Sequence, residues 1–368
     1  MSIVFLLVAL LLSFSCFHAD ALPKGFECVD IHKQPAFDNV LLKNHKIQMS
    51  PSSSPKLNKK NSESSFLKYS NFGAQTKGCP PGMVPIKKRT TRNQTDELRS
   101  FARLHLGSNN IQPQTEDQPG KHFAAMRTKL QSDWGFGARA IISVYNPPVK
   151  NDQVSVSQLR LESGQGAELN SIQVGWAVHP HLYGDNRSYL TAFWTADNGQ
   201  ETGCYNTDCP GFVQVHPTFV LGSYFGQISV YDGPQYITDP LVYQDFGTGH
   251  WWLSLDDNKE KIGYWPMELF TLLNDGVEVA EFGGWTSSSG DGSSPPMGSG
   301  LFPDNHYHRS SYFAQIQAFN RDNELVNIES LDYVVDNPNC YDVKYWKNQG
   351  GILQETFTYG GPGGMCGT

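Results

Sequence analysis

The sequence predicts an all-β protein, an antiparallel β-sandwich of two sheets preceded by a small disulfide-linked N-terminal segment. The 368 residues include 35 Gly and 22 Pro, a composition that favours many short strands and turns over helices. Segments in which apolar and polar residues alternate recur at short spacing along the chain. Neither a helical heptad run nor a regular alternation of strands with long helices is present, and this favours a sandwich.

The clearest strand covers residues 171–179, where apolar residues alternate with polar or small ones. Gln173 lies in the middle of this strand, on the face opposite Trp176, with Gly175 beside it. A glycine at such a position lets another backbone or a ligand come close. We therefore expect Gln173 to line a groove.

Further elements follow in chain order. One helix is predicted over 266–274 because Pro266 lies in its first turn. Two strands, 251–255 and 261–265, are predicted to form a hairpin. The remaining predicted strands cover 138–145, 153–161, 189–195, 211–215 and 311–319.

The first 21 residues are predicted to be a secretory signal peptide, because an apolar run is followed by Ala19-Asp20-Ala21. The run lacks a basic residue at its start, and a membrane anchor is the alternative. Export would make the sequons at Asn93 and Asn186 usable for N-glycosylation.

Six cysteines remain after the predicted signal peptide, and an even number in an exported chain favours disulfides. Sequence alone does not fix their connectivity, although chain order favours pairing of neighbours. The resulting pairs are Cys28–Cys79, Cys204–Cys209 and Cys340–Cys366.

Charge divides the chain into a basic leading segment and an acidic body. Residues 22–92 contain 13 Lys and Arg against 4 Asp and Glu, and residues 93–368 contain 15 against 31. The two parts should attract each other, which predicts a segment that docks on the body and covers the groove at Gln173; a basic tail that does not dock is the alternative. Residues 93–120 are predicted to be a linker, with a short helix over 95–105. The basic run 87–89 is either a processing site or a solvated charge cluster.

Two HxH pairs, His179/His181 and His306/His308, are the candidates for a metal site. Ordinary surface histidines are the favoured interpretation, so we predict no metal and no cofactor. The sequence has no GxSxG elbow, HExxH helix, phosphate loop or dinucleotide fingerprint.

A second notable segment is 279–285, in which Gly283 and Gly284 precede Trp285. A pair of glycines in a strand marks a bulge or a close approach. Trp285 is interpreted either as a packed strand residue, which is the favoured alternative, or as a stacking platform facing the groove.

These motifs together resemble the plant neprosin family. Cys28-Val29-Asp30-Ile31, Gln34-Pro35-Ala36-Phe37 and Gly78-Cys79-Pro80 are similar to its activation peptide. The peptidase-domain motifs that the chain resembles include Asn170–Pro180, Tyr183-Gly184-Asp185, Phe193–Asp197, Thr202–Tyr205, Cys209–Gln214, Trp251-Trp252-Leu253, Gly263–Pro266, Met297–Gly300 and Tyr359–Gly363. The implied organisation is an activation peptide over 22–92 and a peptidase domain over 121–368.

The resemblance implies a secreted, acid-active endopeptidase that cleaves beside proline, without a metal and with two facing glutamates. This chain departs from that pattern at both positions, where it has Gln173 and Trp285. The main hypothesis is therefore an impaired glutamic-peptidase homologue. Its groove, formed by Gln173, Trp176, Trp194 and Trp285, would bind a Pro-rich peptide or a cell-wall glycan.

An active endopeptidase with a relocated carboxylate is the alternative hypothesis, with Glu281, Glu278, Glu201 and Asp197 as candidates. Active relatives carry an acid at position 281 as well, so Glu281 is not an obvious substitute. A purely structural extracellular protein is the third class. The expected location is the apoplast or cell wall, with the vacuole as the other destination.

Overall fold

The computed structural model describes residues 22, 25–56, 68–72, 78–88, 120–129, 135–304, 306–328, 330–350 and 353–367. The predicted signal peptide, the sequon at Asn93, the helix over 95–105 and the predicted linker, apart from Gly120, lie outside these residues. No helix among the described residues is long and apolar enough to cross a bilayer.

The described residues form 22 strands and one short α-helix, α1 (Pro180–Tyr183). The strands are β1 (Phe26–Asp30), β2 (Lys68–Tyr69), β3 (Met83–Lys87), β4 (Lys121–Lys129), β5 (Gly137–Ser143), β6 (Val154–Ser163), β7 (Asn170–Val178), β8 (Ser188–Thr195), β9 (Cys204–Tyr205), β10 (Val213–Gln214), β11 (Tyr236–Thr238), β12 (Leu241–Gln244), β13 (Trp251–Leu255), β14 (Glu260–Trp265), β15 (Val279–Ser287), β16 (Ser293–Ser294), β17 (Ser311–Phe319), β18 (Leu325–Asn327), β19 (Asp332–Val335), β20 (Asp342–Asn348), β21 (Glu355–Gly360) and β22 (Gly364–Met365).

Two large sheets form the predicted β-sandwich. Within the described residues, the smaller sheet has seven antiparallel strands in the order β19-β4-β15-β6-β7-β8-β9. The larger sheet follows the order β10-β14-β13-β12-β5-β17-β21-β20, with β2, β11 and β18 attached. Its strands are also antiparallel, apart from the parallel pair β2 and β11.

The core lies between the two sheets and is built by the predicted alternation. Ile172, Val174 and Trp176 of β7 pack in one cluster with Trp251 and Phe313 of the larger sheet. Trp176 is fully buried, and its indole N–H donates to the backbone oxygen of Ser143 in β5 at 2.8 Å. This hydrogen bond joins the two sheets, as does the one from the Tyr359 hydroxyl in β21 to Ser157 in β6 at 2.5 Å.

Gly175 fulfils the expectation of a close backbone approach. A Cβ at this position would lie 2.0 Å from the carbonyl oxygen of Ser157 in the neighbouring strand β6. The residue is therefore needed for strand packing. No ligand is required to explain it.

The hairpin of β13 and β14 is present, but the helix predicted over 266–274 is wrong. The structure has two 3-10 turns there, Met267–Leu269 and Leu273–Asp275, separated by Phe270 in an extended conformation. The side-chain oxygen of Asn170 accepts the backbone N–H groups of Thr271 and Leu272 at 2.9 and 3.1 Å. It therefore takes donors that a continuous helix would use internally.

The N-terminal segment packs against the outer face of the larger sheet. Ala36 lies in a cluster with Tyr243, Trp252 and Tyr264. Gln34 makes two hydrogen bonds to the backbone of Gln214, accepting at 2.7 Å and donating at 3.1 Å. Gln34 thereby covers backbone N–H and C=O groups that the edge strand β10 would otherwise expose.

Asp245 anchors the segment through charge-assisted hydrogen bonds. Its carboxylate accepts from the side chain of Gln48 at 2.7 Å and from the backbone N–H groups of Ser52 and Ser53 at 2.8 and 3.0 Å. Burial alone would raise the pKa of this carboxyl, but these donors hold it well below its usual value.

The described part of the segment does not cover Gln173, contrary to the sequence expectation. It lies on the larger sheet because the apolar outer surface of that sheet offers contacts for Ala36 and Phe37. It approaches the smaller sheet at Lys87, which contacts the backbone oxygen of Leu182 at 3.4 Å and Asp208 at 3.4 Å.

The disulfides are Cys28–Cys79, Cys204–Cys209 and Cys340–Cys366, the pairs that chain order favours. The first bridge lies wholly within the N-terminal segment, and the other two lie within the body. β4 begins at Lys121 and pairs with both β15 and β19, so this strand is part of the sandwich.

Candidate functional site

A small cavity opens on the face of the smaller sheet that is turned away from the core. Its volume is about 10 Å³, which is room for roughly one water molecule. We call it the Gln173 cavity. It is lined by Val156, Gln158, Gln173, Ala177, His179, Thr191, Phe193, Tyr205 and Trp285.

Gln173 lies in β7, between Arg160 of β6 and Phe193 of β8. It is 8% exposed, and its amide N–H donates to the hydroxyl of Ser171 at 3.2 Å. Gln173 therefore faces a recess, but the recess is too small for a peptide side chain in this conformation, and a binding groove at Gln173 stays a prediction.

Trp285 lines the same cavity, but it is a packed residue and not an open platform. It is 7% exposed and lies in a cluster with Val154, Val156 and Ala177. The ammonium group of Lys121 lies 5.0 Å from its ring centroid. These contacts agree with the favoured interpretation of a packed strand tryptophan.

The two positions are not directly opposite each other in the sheet. Trp285 pairs with Val156, which in turn pairs with Ala177. Gln173 lies four residues farther along β7, about 13 Å in an extended strand. The two side chains meet at one cavity, but their backbones are offset.

Trp176 and Trp194 were predicted to line the groove, and both predictions are wrong. Trp176 is fully buried between the sheets, and Trp194 is 3% exposed in the same core cluster. Trp194 packs edge-on against Phe270, with ring centroids 5.7 Å apart. Both residues have even strand parity, whereas Gln173 and Ala177 have odd parity and face the other side.

A row of alternating charges crosses the smaller sheet and ends at Gln173. In register across the strands, the order is Asp332, Arg127, Glu281, Arg160 and Gln173. Glu281 accepts from Arg127 at 2.9 Å, and Arg160 lies 3.6 Å from its second oxygen. Gln173 is thus the neutral member at the end of an ion-pair row.

This row sets the protonation state of Glu281. Burial raises the pKa of its carboxyl, but Arg127 and Arg160 lower that pKa by a larger amount, so the net shift is downward. Glu281 is therefore an ionised structural residue and a weak base.

The other candidate carboxylates lie away from the cavity lining. Asp197 accepts the backbone N–H groups of Glu201 and Thr202 at 2.8 and 2.9 Å, so it stabilises the turn after β8. Glu201 is exposed on that turn. Glu278 is also exposed, and it accepts the backbone N–H of Gly164 at 3.1 Å.

Three polar lining residues were missed in the sequence: Gln158, Thr191 and His179. Strand parity could have identified Gln158, because it shares a face with Val154 and Val156. His179 caps α1, and its Nδ1 accepts the backbone N–H of Leu182 at 3.3 Å. Burial, with His181 nearby, lowers its pKa to about 3, so the imidazole is neutral.

Neither HxH pair belongs to a cluster of three metal-ligating side chains among the described residues. His179 and His181 differ in environment, since the first is buried and the second is exposed. The one such cluster that the described residues contain is His45, His250 and Glu268, between the N-terminal segment and the body.

Family models match most of the chain. The model described as Neprosin matches residues 151–362, and the model described as Neprosin activation peptide matches residues 23–127. The chain belongs to the neprosin family. The activation-peptide match extends to 127, past the predicted boundary at 92 and into β4, which the structure places in the sandwich.

Solved structures of glutamic peptidases resemble this chain only distantly. Scytalido-glutamic peptidase with a peptide-based transition-state analogue shares 12% identity and a TM-score of 0.37. SCP-B, of the Eqolisin family, in a complex with the tripeptide Ala-Ile-His shares 11% identity and a TM-score of 0.35. Both matches cover 66% of this chain and 98% of the other.

Proposed function

We propose that this neprosin is a secreted homologue that has lost endopeptidase activity and retains a peptide-binding role at the Gln173 cavity. One observation carries the proposal: the two dyad positions of the family pattern line one cavity and hold Gln173 and Trp285. An amide can donate and accept hydrogen bonds, but it takes no proton from water in the acid range. An indole offers only a donor.

Loss of the general base removes the step that activates water. A positioned acid or base contributes about 10² to 10⁴ in rate, so the absence of both should leave little hydrolysis. The nearest carboxylate in register, Glu281, is paired with Arg127 and Arg160, which makes it a poor replacement.

The binding role is supported by the chemistry of the cavity lining. Gln158 and Gln173 offer amide donors and acceptors that match a peptide backbone, and Phe193 with Trp285 offers apolar surface that suits proline rings. A ligand larger than water would have to displace a side chain, with Trp285 as the residue that fills most space. A cell-wall glycan is the competing ligand class.

A cleavage assay tests the first part of the proposal. The purified chain is incubated with Pro-containing peptides from pH 3 to pH 7, and products are followed by mass spectrometry. We expect no proline-directed cleavage. Cleavage that copurifies with the chain through several columns would support the relocated-carboxylate alternative instead.

Binding assays then test the second part. Immobilised Pro-rich peptides and wall polysaccharides are compared as ligands for the unmodified chain and for Gln158→Ala. Peptide binding that weakens in the variant supports the proposal. Glycan binding alone would replace peptide by glycan as the ligand, and the absence of both would favour a structural role.

A further inference from the structure

We propose that His45, His250 and Glu268 form a transition-metal site that joins the N-terminal segment to the body. One ligand atom from each residue lies within 4.8 Å of the other two. His45 belongs to the segment, whereas His250 precedes β13 and Glu268 lies in the 3-10 turn Met267–Leu269. The metal would thus bind across the contact between two parts of the chain.

The distances are close to those of a bound ion. His45 Nδ1 lies 3.2 Å from one oxygen of Glu268, and His250 Nδ1 lies 4.0 Å from the other. Ligand atoms about 2.0–2.2 Å from a zinc ion in tetrahedral geometry are a little over 3 Å apart. All three ligand atoms lie within 4.8 Å of one another, so the widest pair would have to close by no more than about 1.5 Å to complete the set.

The surroundings orient the ligands as they do in known metal sites. The second nitrogen of His45, Nε2, lies 2.9 Å from the hydroxyl of Tyr264. Such a partner fixes the ring orientation of a ligating histidine.

His250 offers a lone pair. Its Nδ1 accepts the backbone N–H of Met267 at 3.1 Å, which shows that this atom carries no proton. Metal binding at Nδ1 would replace that hydrogen bond and the contact between His45 Nδ1 and Glu268.

Two imidazoles and one carboxylate, with water in the fourth position, are the ligands of many zinc sites. Mg²⁺ and Ca²⁺ prefer oxygen ligands, so the site should discriminate against them. Side-chain exposure supports a site that an ion can reach: His45 is 3% exposed, but Glu268 is 41% exposed.

Isothermal titration of the purified, chelator-treated full chain with Zn²⁺ tests the site. We expect one ion per chain. His45→Gln, His250→Gln and Glu268→Gln should each weaken binding at least about tenfold, since even outer-shell changes cost that much in metal sites. Co²⁺ serves as a second probe, because its visible absorption reports tetrahedral nitrogen and oxygen ligation.

The double variant His306→Gln/His308→Gln is the matched control, because it removes an HxH pair without touching the site. Circular dichroism in chelator establishes that each variant is folded, and Glu268→Gln is the least disruptive because its side chain is partly exposed. The proposal is overturned if Zn²⁺ does not bind, or if binding survives all three ligand variants.

A second readout follows from the position of the site. The segment is cut from the body by limited proteolysis of the linker, and its dissociation is measured by size exclusion. At a free Zn²⁺ concentration of 100 times the Kd of the site, the affinity of the cleaved segment for the body should increase about 100-fold by mass action. Unchanged retention in the unmodified chain would contradict a bridging site even if Zn²⁺ binds elsewhere.

Discussion

At position 173, the amide group in place of a carboxylate removes the ability to accept a proton from water. Gln173 stands next to Arg160, at the end of a row in which Arg127 and Glu281 alternate in charge. A glutamate there would extend the alternation, and the guanidinium of Arg160 would lower its pKa. The neutral amide ends the row without that interaction.

The first prediction concerns restoration of the dyad. Gln173→Glu with Trp285→Glu should raise proline-directed cleavage at acid pH at least about tenfold above the unmodified chain, below the 10² to 10⁴ of an aligned acid/base pair. The gain is limited because the surrounding side chains, Val154, Val156 and Ala177, are packed around an indole and not around a carboxylate. Peptide cleavage measured from pH 3 to pH 7 tests this.

Each single variant is the control, since one carboxylate cannot act as both acid and base in the same step. If Gln173→Glu alone reached the rate of the double variant, position 285 would not be part of the site.

The second prediction separates core tryptophans from cavity residues. Trp176→Phe removes the hydrogen bond to Ser143 and part of the buried ring, so it should lower the free energy of unfolding by about 1–3 kcal/mol. Peptide binding should be unchanged. Denaturant unfolding checks the first statement, and a variant with normal stability but lost binding would return Trp176 to the site.

At the scale of elements, strand parity predicted more than residue type did. The alternation in β7 correctly assigned Gln173 to the outer face and Trp176 to the inner face. We nevertheless predicted that Trp176 and Trp194 line the groove, because large aromatic rings often bind ligands, although their strand parity places them on the inner face. The disulfide pairs followed from chain order.

Other features depend on contacts that sequence does not reveal. The side chain of Asn170, about a hundred residues earlier, ends the first 3-10 turn and prevents the predicted helix. Likewise, the docking surface of the N-terminal segment is fixed by Gln214, Asp245 and Tyr264, which are distant in sequence. The cavity size depends on how Trp285 packs.

The third prediction concerns the anchor at Asp245. Because its folded pKa is depressed, its contribution is present above the ordinary value of 3.8 and is lost only as pH falls through the lower folded value. This anchor should therefore hold the segment at pH 4. Asp245→Asn should speed segment dissociation at least about tenfold, since it removes charge-assisted hydrogen bonds.

Size exclusion after linker cleavage measures that dissociation at pH 4 and pH 7. Ser53→Ala is the matched variant on the segment side, and it should have a smaller effect in the same direction. Equal dissociation of Asp245→Asn and the unmodified chain would show that other contacts dominate docking.

For the whole molecule, the fourth prediction is that the N-terminal segment stays covalently attached to the body, because the chain does not cleave itself. Under the proposed function the chain lacks the acid/base pair needed to cut its own linker, so its mass should be constant during incubation from pH 3 to pH 7. Intact-mass spectrometry follows this. First-order loss of the segment, independent of chain concentration and insensitive to inhibitors of host proteases, would mean that the chain cleaves itself.

The position of the Cys28–Cys79 bridge has a consequence for how proteolysis of this molecule reads on a gel. The bridge spans 51 residues within the N-terminal segment. A cut at any bond inside that span leaves two fragments joined through sulfur. On a denaturing gel, such a cut therefore produces no new band until a reductant is added. A cut between residues 88 and 120 instead separates the whole segment covalently from the body, and a denaturing gel shows it as its own band without a reductant.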